Sequence, residues 1–246
     1  MAKLNPVFSG IRVEEGIETS ASVKGVAGKT LLLLGIAVLS AILSITYGAE
    51  LIFGNIGVYI AIVLGALICG IVGQVSPNAA KVCSIIYAVC EGAMLGLLSF
   101  LFDAVIGGIV MSAVLITATI FGVMLLLYST NIIKVTNKFV RVMSGIGITI
   151  LVVSLFYFIS SLVSPGNIMV AALYSNPTLL LLVSVFILIY GAFMLALDFE
   201  EVNIIVANGF DKKYEWTAAL GLMVTLVWIY VEVLRLLAIL ARYSRD

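Results

Sequence analysis

The sequence predicts an all-α integral membrane protein with seven transmembrane helices. The chain is 63% hydrophobic and only 11% charged, whereas a soluble domain has about 25% charged residues. Its mean hydropathy is +1.26. Seven apolar runs each reach about 20 residues, the length that a helix needs to cross a bilayer, and they lack the alternation of a membrane β-strand.

Polar and turn-forming residues separate these runs, for example Ser76-Pro77-Asn78 and Asn176-Pro177. Residues 1–28 are predicted to be a cytoplasmic N-terminal tail, and residues 29–246 one seven-helix transmembrane domain. The predicted spans are 30–48, 56–75, 82–102, 105–128, 142–163, 178–206 and 216–240.

The basic residues set the predicted orientation, because Lys and Arg accumulate on the cytoplasmic side. Most of the 13 Lys and Arg lie in the tail and in the links after spans two, four and six. We therefore expect a multi-pass protein of the inner (plasma) membrane, with the N-terminus in the cytoplasm and the C-terminus outside. Arg242 and Arg245 leave open an alternative with six spans and a re-entrant last segment.

Composition also excludes several kinds of function. The net charge of zero argues against a nucleic-acid partner. Without histidine, a His-ligated metal site and a histidine pH switch are excluded. Cys69, Cys83 and Cys90 lack metal-ligand spacing, and Ser160-Ser161 has no evident base. We expect no enzyme and no tightly bound cofactor; the expected partners are the bilayer, ions and a membrane protein.

Three carboxylates are predicted within the spans, where a charge costs roughly 2.5–3.5 kcal/mol. Glu91 and Asp198 each lie about 12–15 Å from a span end, near the middle of the bilayer. Glu232 lies nearer the outer boundary, and Arg235 is three positions later on the same helical face. We interpret Glu232 and Arg235 as an interfacial ion pair that could also border an ion pathway.

Glu91 and Asp198 have no basic residue at helix-neighbour spacing. If they approach each other, both cannot ionise cheaply, and a shared proton would hold two helices together. Their oxygens would also serve as transient Ca²⁺ ligands. Gly92 and Gly96 form a G-x-x-x-G that lets a neighbouring helix pack beside Glu91. The alternative is a protonated acid that only stabilises helix packing.

Several segments together resemble the transmembrane Bax inhibitor motif family, closest to its bacterial Bax inhibitor-1/YccA-like branch. The resemblance covers nearly the whole chain. It rests on LNPVF (4–8), GVAGKTLLLLG (25–35), CEGAMLG (90–96), ALDFEEV (196–202) and EWTAALGLMVTLVWIYVEVLRLL (215–237).

The resemblance implies six helices around a central seventh, and a proton-sensitive Ca²⁺ leak. It also implies a pH sensor of two aspartates, one on the sixth helix and one on the seventh. Asp198 matches the first, but Thr225 stands at the second position and cannot carry a charge. We therefore expect Asp198, Glu91 and Thr225 to form the proton-sensing site, with Glu91 as the second carboxylate.

Two functions follow from these observations. The first is a pH-modulated calcium (cation) leak channel, gated by protonation of intramembrane carboxylates, with Ca²⁺ as the permeant ion. The alternative is a non-transporting membrane regulator that binds a membrane protease or a stress-response complex.

Overall fold

The computed structural model describes residues 20–48, 55–163 and 176–243 and confirms the seven-helix prediction. Each helix in this part of the chain is long and apolar enough to cross a membrane. One isolated antiparallel bridge, between Ser20 and Asp211, is the β-structure of the described residues. The helices are α1 (Val23–Leu43), α2 (Ile56–Val75), α3 (Ala80–Val105), α4 (Ile109–Ser129), α5 (Asn137–Val163), α6 (Pro177–Ala207) and α7 (Tyr214–Tyr243).

The largest departure from the predicted bounds is at α1, which begins at Val23 instead of residue 30. The Ser22 side chain caps it by accepting a hydrogen bond from the Gly25 N–H at 3.0 Å. A π-helical turn, Ser44–Gly48, continues α1 at its other end. The helix therefore enters the predicted tail. The LNPVF motif, the tail up to residue 19 and Arg245 lie outside the described residues.

α7 is one continuous helix of 30 residues, so the re-entrant alternative for the last segment is not what the structure shows. It also has the largest buried share of the seven helices, and its predicted central position stays a prediction. Elsewhere, large apolar side chains are exposed along the helices, among them Leu39, Leu67, Met111, Leu151 and Leu182. Exposure on this scale is a liability in water but suits contact with lipid.

The chain divides into two compact units. Of the described residues, the first unit contains 20–48, 55–110 and 198–227, and the second contains 111–163, 176–197 and 228–243. α6 and α7 therefore each contribute one part to each unit.

In the first unit, α1 and α3 pack closely through small residues. A Cβ built at Gly92 would overlap the backbone of Ala37, and one at Gly96 would overlap that of Ala41. The Ser44 hydroxyl also donates to the Ala93 carbonyl of α3 at 3.0 Å. The predicted G-x-x-x-G contact is thus present, and α1 is the helix that approaches.

In the second unit, Tyr190 of α6 connects α5 and α7. Its hydroxyl donates to the Met143 carbonyl at 3.2 Å, and its ring packs edge-on against Trp228 with centroids 5.6 Å apart. Phe139 and Phe193 make a second edge contact at 5.9 Å. These contacts fix the part of α6 that precedes Asp198 in sequence.

Candidate functional site

Asp198 lies in the part of α6 that belongs to the first unit, where its carboxylate meets α7. Within the described residues, its Oδ2 atom is buried and has no hydrogen-bond partner. The side chain of Thr225, which is buried at 6% exposure, forms a hydrogen bond with this carboxylate. The structure therefore joins two of the predicted site residues and leaves one carboxylate oxygen unsatisfied.

Helical spacing explains why Thr225 and the Oδ2 atom of the half-buried Asp198 are enclosed. On α6, Asp198 shares one face with the buried Val202 and Ile205, four and seven positions later. On α7, Thr225 continues a face that contains Ala218 and Leu222. Each polar residue therefore interrupts an apolar stripe, and packing of these stripes buries it.

Glu201 is the next ionisable group along α6, three positions after Asp198. The two carboxylates lie close enough to repel each other when both are charged. Glu201 is half-buried. Ionisation of Asp198 therefore meets a like charge as well as an apolar environment.

Glu91 is half-buried on α3, beside the Gly92 contact with α1. Its electrostatic neighbours on its own helix are Tyr87 and Cys90. At 1.5 Å per residue it lies about 16 Å from the start of α3, and Thr225 lies equally far along α7. The structure thus gives Asp198 a hydroxyl partner on α7, and a proton shared between Glu91 and Asp198 stays a prediction.

Glu232 and Arg235 form the ion pair that their spacing predicts. In the second unit, Glu232 Oε1 lies 3.2 Å from Arg235 Nη1. The Trp228 indole, one turn earlier, also donates to the Glu232 carboxylate. Glu232 is buried at 4% exposure, and its Oε2 has no hydrogen-bond partner among the described residues. One oxygen of this carboxylate therefore remains without a hydrogen bond in the described structure, although Arg235 and Trp228 both contact the group.

The sequence analysis missed a buried polar cluster between α1 and α7. Glu215 is only 1% exposed and accepts hydrogen bonds from the Ser22 N–H at 2.8 Å and the Ser22 hydroxyl at 3.2 Å. Its other oxygen forms an ion pair with Lys29. One signal could have revealed it: odd-numbered spans run in the same direction, so α1 and α7 begin on the same side of the membrane.

The described residues contain no group of three or more His, Cys, Asp or Glu arranged to hold a metal ion. Cys69, Cys83 and Cys90, which are all described, are free thiols and half-buried. Transient Ca²⁺ coordination by Asp198 and Glu91 stays a prediction. It does not require a preformed metal site, since each carboxylate could bind a passing ion separately.

Comparison with known families identifies a match over nearly the whole chain. The family described as Bax inhibitor 1 like matches residues 5–242. Comparisons with curated proteins and with solved structures give no match. The match confirms the predicted family but does not distinguish its bacterial branch.

Proposed function

Because the chain belongs to the Bax inhibitor 1 like family, we propose that it is a pH-modulated cation leak channel with Ca²⁺ as its permeant ion. Protonation of Asp198 would gate it. The observation that supports this proposal is the buried Asp198 Oδ2 atom, which has no hydrogen-bond partner in the described structure. A half-buried acid with one enclosed, unsatisfied oxygen at the contact between two helices is suited to change that contact when it gains or loses a proton.

The two protonation states make different demands on the contact. A protonated acid donates one hydrogen bond and accepts others, whereas a carboxylate only accepts. Thr225 can serve either state, because a hydroxyl both donates and accepts. Oδ2 is different: without its proton it carries charge in an apolar site, next to Glu201. Loss of the proton therefore destabilises the closed contact between α6 and α7.

The energy available from one proton is sufficient for gating. A buried polar group without a partner costs about 1–3 kcal/mol, and a charged group more. Each 1.4 kcal/mol changes an equilibrium about tenfold. Ionisation of Asp198 would thus raise the open population of a mostly closed channel by roughly tenfold or more.

We place the channel in the inner (plasma) membrane, with its N-terminus in the cytoplasm and its C-terminus outside. One structural feature supports this orientation. Lys29, Lys81, Lys212 and Lys213 come from three separate segments and line one pocket of the first unit. Such a concentration of lysine is typical of the cytoplasmic side.

Ca²⁺ flux into liposomes tests the gate. The purified protein would be reconstituted in vesicles that contain a Ca²⁺-sensitive dye, and flux would be measured across a pH series. We expect flux to rise with pH in the wild type and to be low and independent of pH in Asp198→Asn, which cannot ionise. Asp103→Asn is the matched control, because the same change is made at an exposed residue near the end of α3.

Three outcomes distinguish the proposed channel and its gate from the alternatives. An Asp198→Asn variant with the wild-type pH profile would disprove the gate. Additive effects of Glu91→Gln and Asp198→Asn would show that these carboxylates do not share a proton. If the wild type gives no flux at any pH but co-purifies with a membrane protease or another membrane complex, the regulator hypothesis replaces the channel.

A further inference from the structure

A pocket of about 370 Å³ lies at the end of the first unit where α1, α3 and α7 begin. We call it the basic pocket. Five of its lining residues define it: Lys29, Lys81, Lys212, Lys213 and Trp216. These residues come from three segments far apart in the sequence, so folding brings them together. We propose that the basic pocket binds a phosphate group, supplied by the headgroup of an anionic phospholipid.

The positive charge of the pocket exceeds its negative charge. Glu215 pairs with Lys29, and Asp211 lies 3.5 Å from the Lys213 ammonium. Lys81 and Lys212 are exposed, and in the part of the chain that the structure describes neither has a carboxylate within salt-bridge distance. Two ammonium groups therefore remain for an anion, which would receive charge-assisted hydrogen bonds from both.

Lys29 is positioned to provide a third ammonium group to a ligand in the basic pocket. Its Nζ interacts with Glu215, lies 3.4 Å from the Lys212 carbonyl, and is 5.2 Å from the centre of the Trp216 ring. An ammonium has three N–H groups. Glu215 and the carbonyl account for two of them, which leaves one for a ligand in the pocket.

The start of α3 adds a second attraction for an anion. Pro77, Asn78 and Lys81 line the same pocket and flank this helix start. Ala79 stands at the cap position and provides no side-chain hydrogen bond to the first turn. The positive end of this 26-residue helix therefore borders the pocket and receives no hydrogen bond from a cap side chain. A phosphate oxygen satisfies such N–H groups well.

The surroundings favour a lipid as the source of the phosphate. Val75 and Val82, close in sequence to Pro77 and Lys81, are 65% and 60% exposed, as expected for side chains that contact lipid. Trp216 is of the residue type that concentrates at the level of lipid headgroups. Basic pockets between transmembrane helices are known to hold anionic headgroups.

A lipid titration of the detergent-solubilised protein tests this site. Phosphatidylglycerol, phosphatidylcholine or inorganic phosphate would be added, and the midpoint of thermal unfolding would be measured. We expect saturable stabilisation by phosphatidylglycerol and none by phosphatidylcholine. Lys81→Gln combined with Lys212→Gln should raise the apparent Kd for phosphatidylglycerol roughly 30-fold.

The matched control combines Lys134→Gln with Lys138→Gln, which removes the same charge from two exposed lysines of the second unit. It should keep the wild-type Kd. Equal Kd values for the wild type and Lys81→Gln/Lys212→Gln, or equal losses in both double variants, would overturn the site. Stabilisation by inorganic phosphate that depends on Lys81 and Lys212, without a response to phosphatidylglycerol, would support a phosphate site but overturn the lipid as its source.

Discussion

The ion pair between Lys29 and Glu215 should be a principal polar connection between α1 and α7, and Glu215→Gln tests it. Glu215 is 1% exposed and Lys29 is 16% exposed. Breaking a buried pair by removing one partner costs about 3–5 kcal/mol. Lys29 keeps some exposure and its contact with the Lys212 carbonyl, so the lower end applies. We expect Glu215→Gln to destabilise the protein by about 3 kcal/mol.

A double-mutant cycle isolates the pair from other effects of each substitution. Unfolding of the wild type, Lys29→Met, Glu215→Gln and the double variant would be followed in detergent micelles by tryptophan fluorescence. The double variant leaves neither charge buried alone, so it should be more stable than the two single losses imply. We expect a coupling free energy of about 2 kcal/mol. Lys24→Met, an exposed change in the same helix, should stay within about 0.5 kcal/mol of the wild type.

Additive losses would refute this reasoning. If the double variant loses the sum of the two single losses, within about 0.5 kcal/mol, the charges do not stabilise each other. Glu215 would then act through Ser22 alone, whose N–H and hydroxyl both donate to it. Burial of the ion pair would then not imply a large coupling free energy, because Glu215 would be buried without being stabilised by the charge of Lys29.

Two further substitutions test the packing of each unit by the same unfolding assay. Gly92→Val should cost about 1–3 kcal/mol of stability, because the new side chain would overlap the Ala37 backbone. Gly122→Val is the control and should cost far less, because a Cβ there meets open space. Equal losses in the two variants would contradict the close contact. Tyr190→Phe should cost about 1 kcal/mol, because it removes the hydrogen bond to the Met143 carbonyl, and wild-type stability would show that this bond contributes nothing.

Composition and run length were sufficient to predict the seven helices, because a bilayer requires long apolar segments with satisfied backbones. The bounds of α2 were predicted correctly at residues 56–75, since Asn55 caps its start and Ser76-Pro77 ends it. The start of α1 was not. Lys24 and Lys29 made residues 23–29 look like a polar tail, although the Ser22 cap begins the helix at Val23.

The candidate site was predictable only where the chemistry is local or a motif marks it. Asp198 stood out as a carboxylate near the middle of a span, and alignment to the family motif identified Thr225 as its counterpart. The Lys29–Glu215 pair was not found, because these residues are 186 positions apart and each stands just before the start of a predicted span. Charges at helix ends are expected to face water, so only the packing of α1 against α7 reveals that Glu215 is buried.

In the most buried helix, α7, two buried polar groups have partners on or beside neighbouring helices. Apolar side chains do not draw a helix out of lipid, because lipid tails are equally apolar. Polar groups do, since each needs a partner that lipid cannot provide. Glu215 finds Lys29 and Ser22 on and beside α1, and Thr225 finds Asp198 on α6. Burial of α7 and the proposed sensitivity to protons would therefore have one cause, because ionisation of Asp198 would weaken a contact that holds α6 against α7.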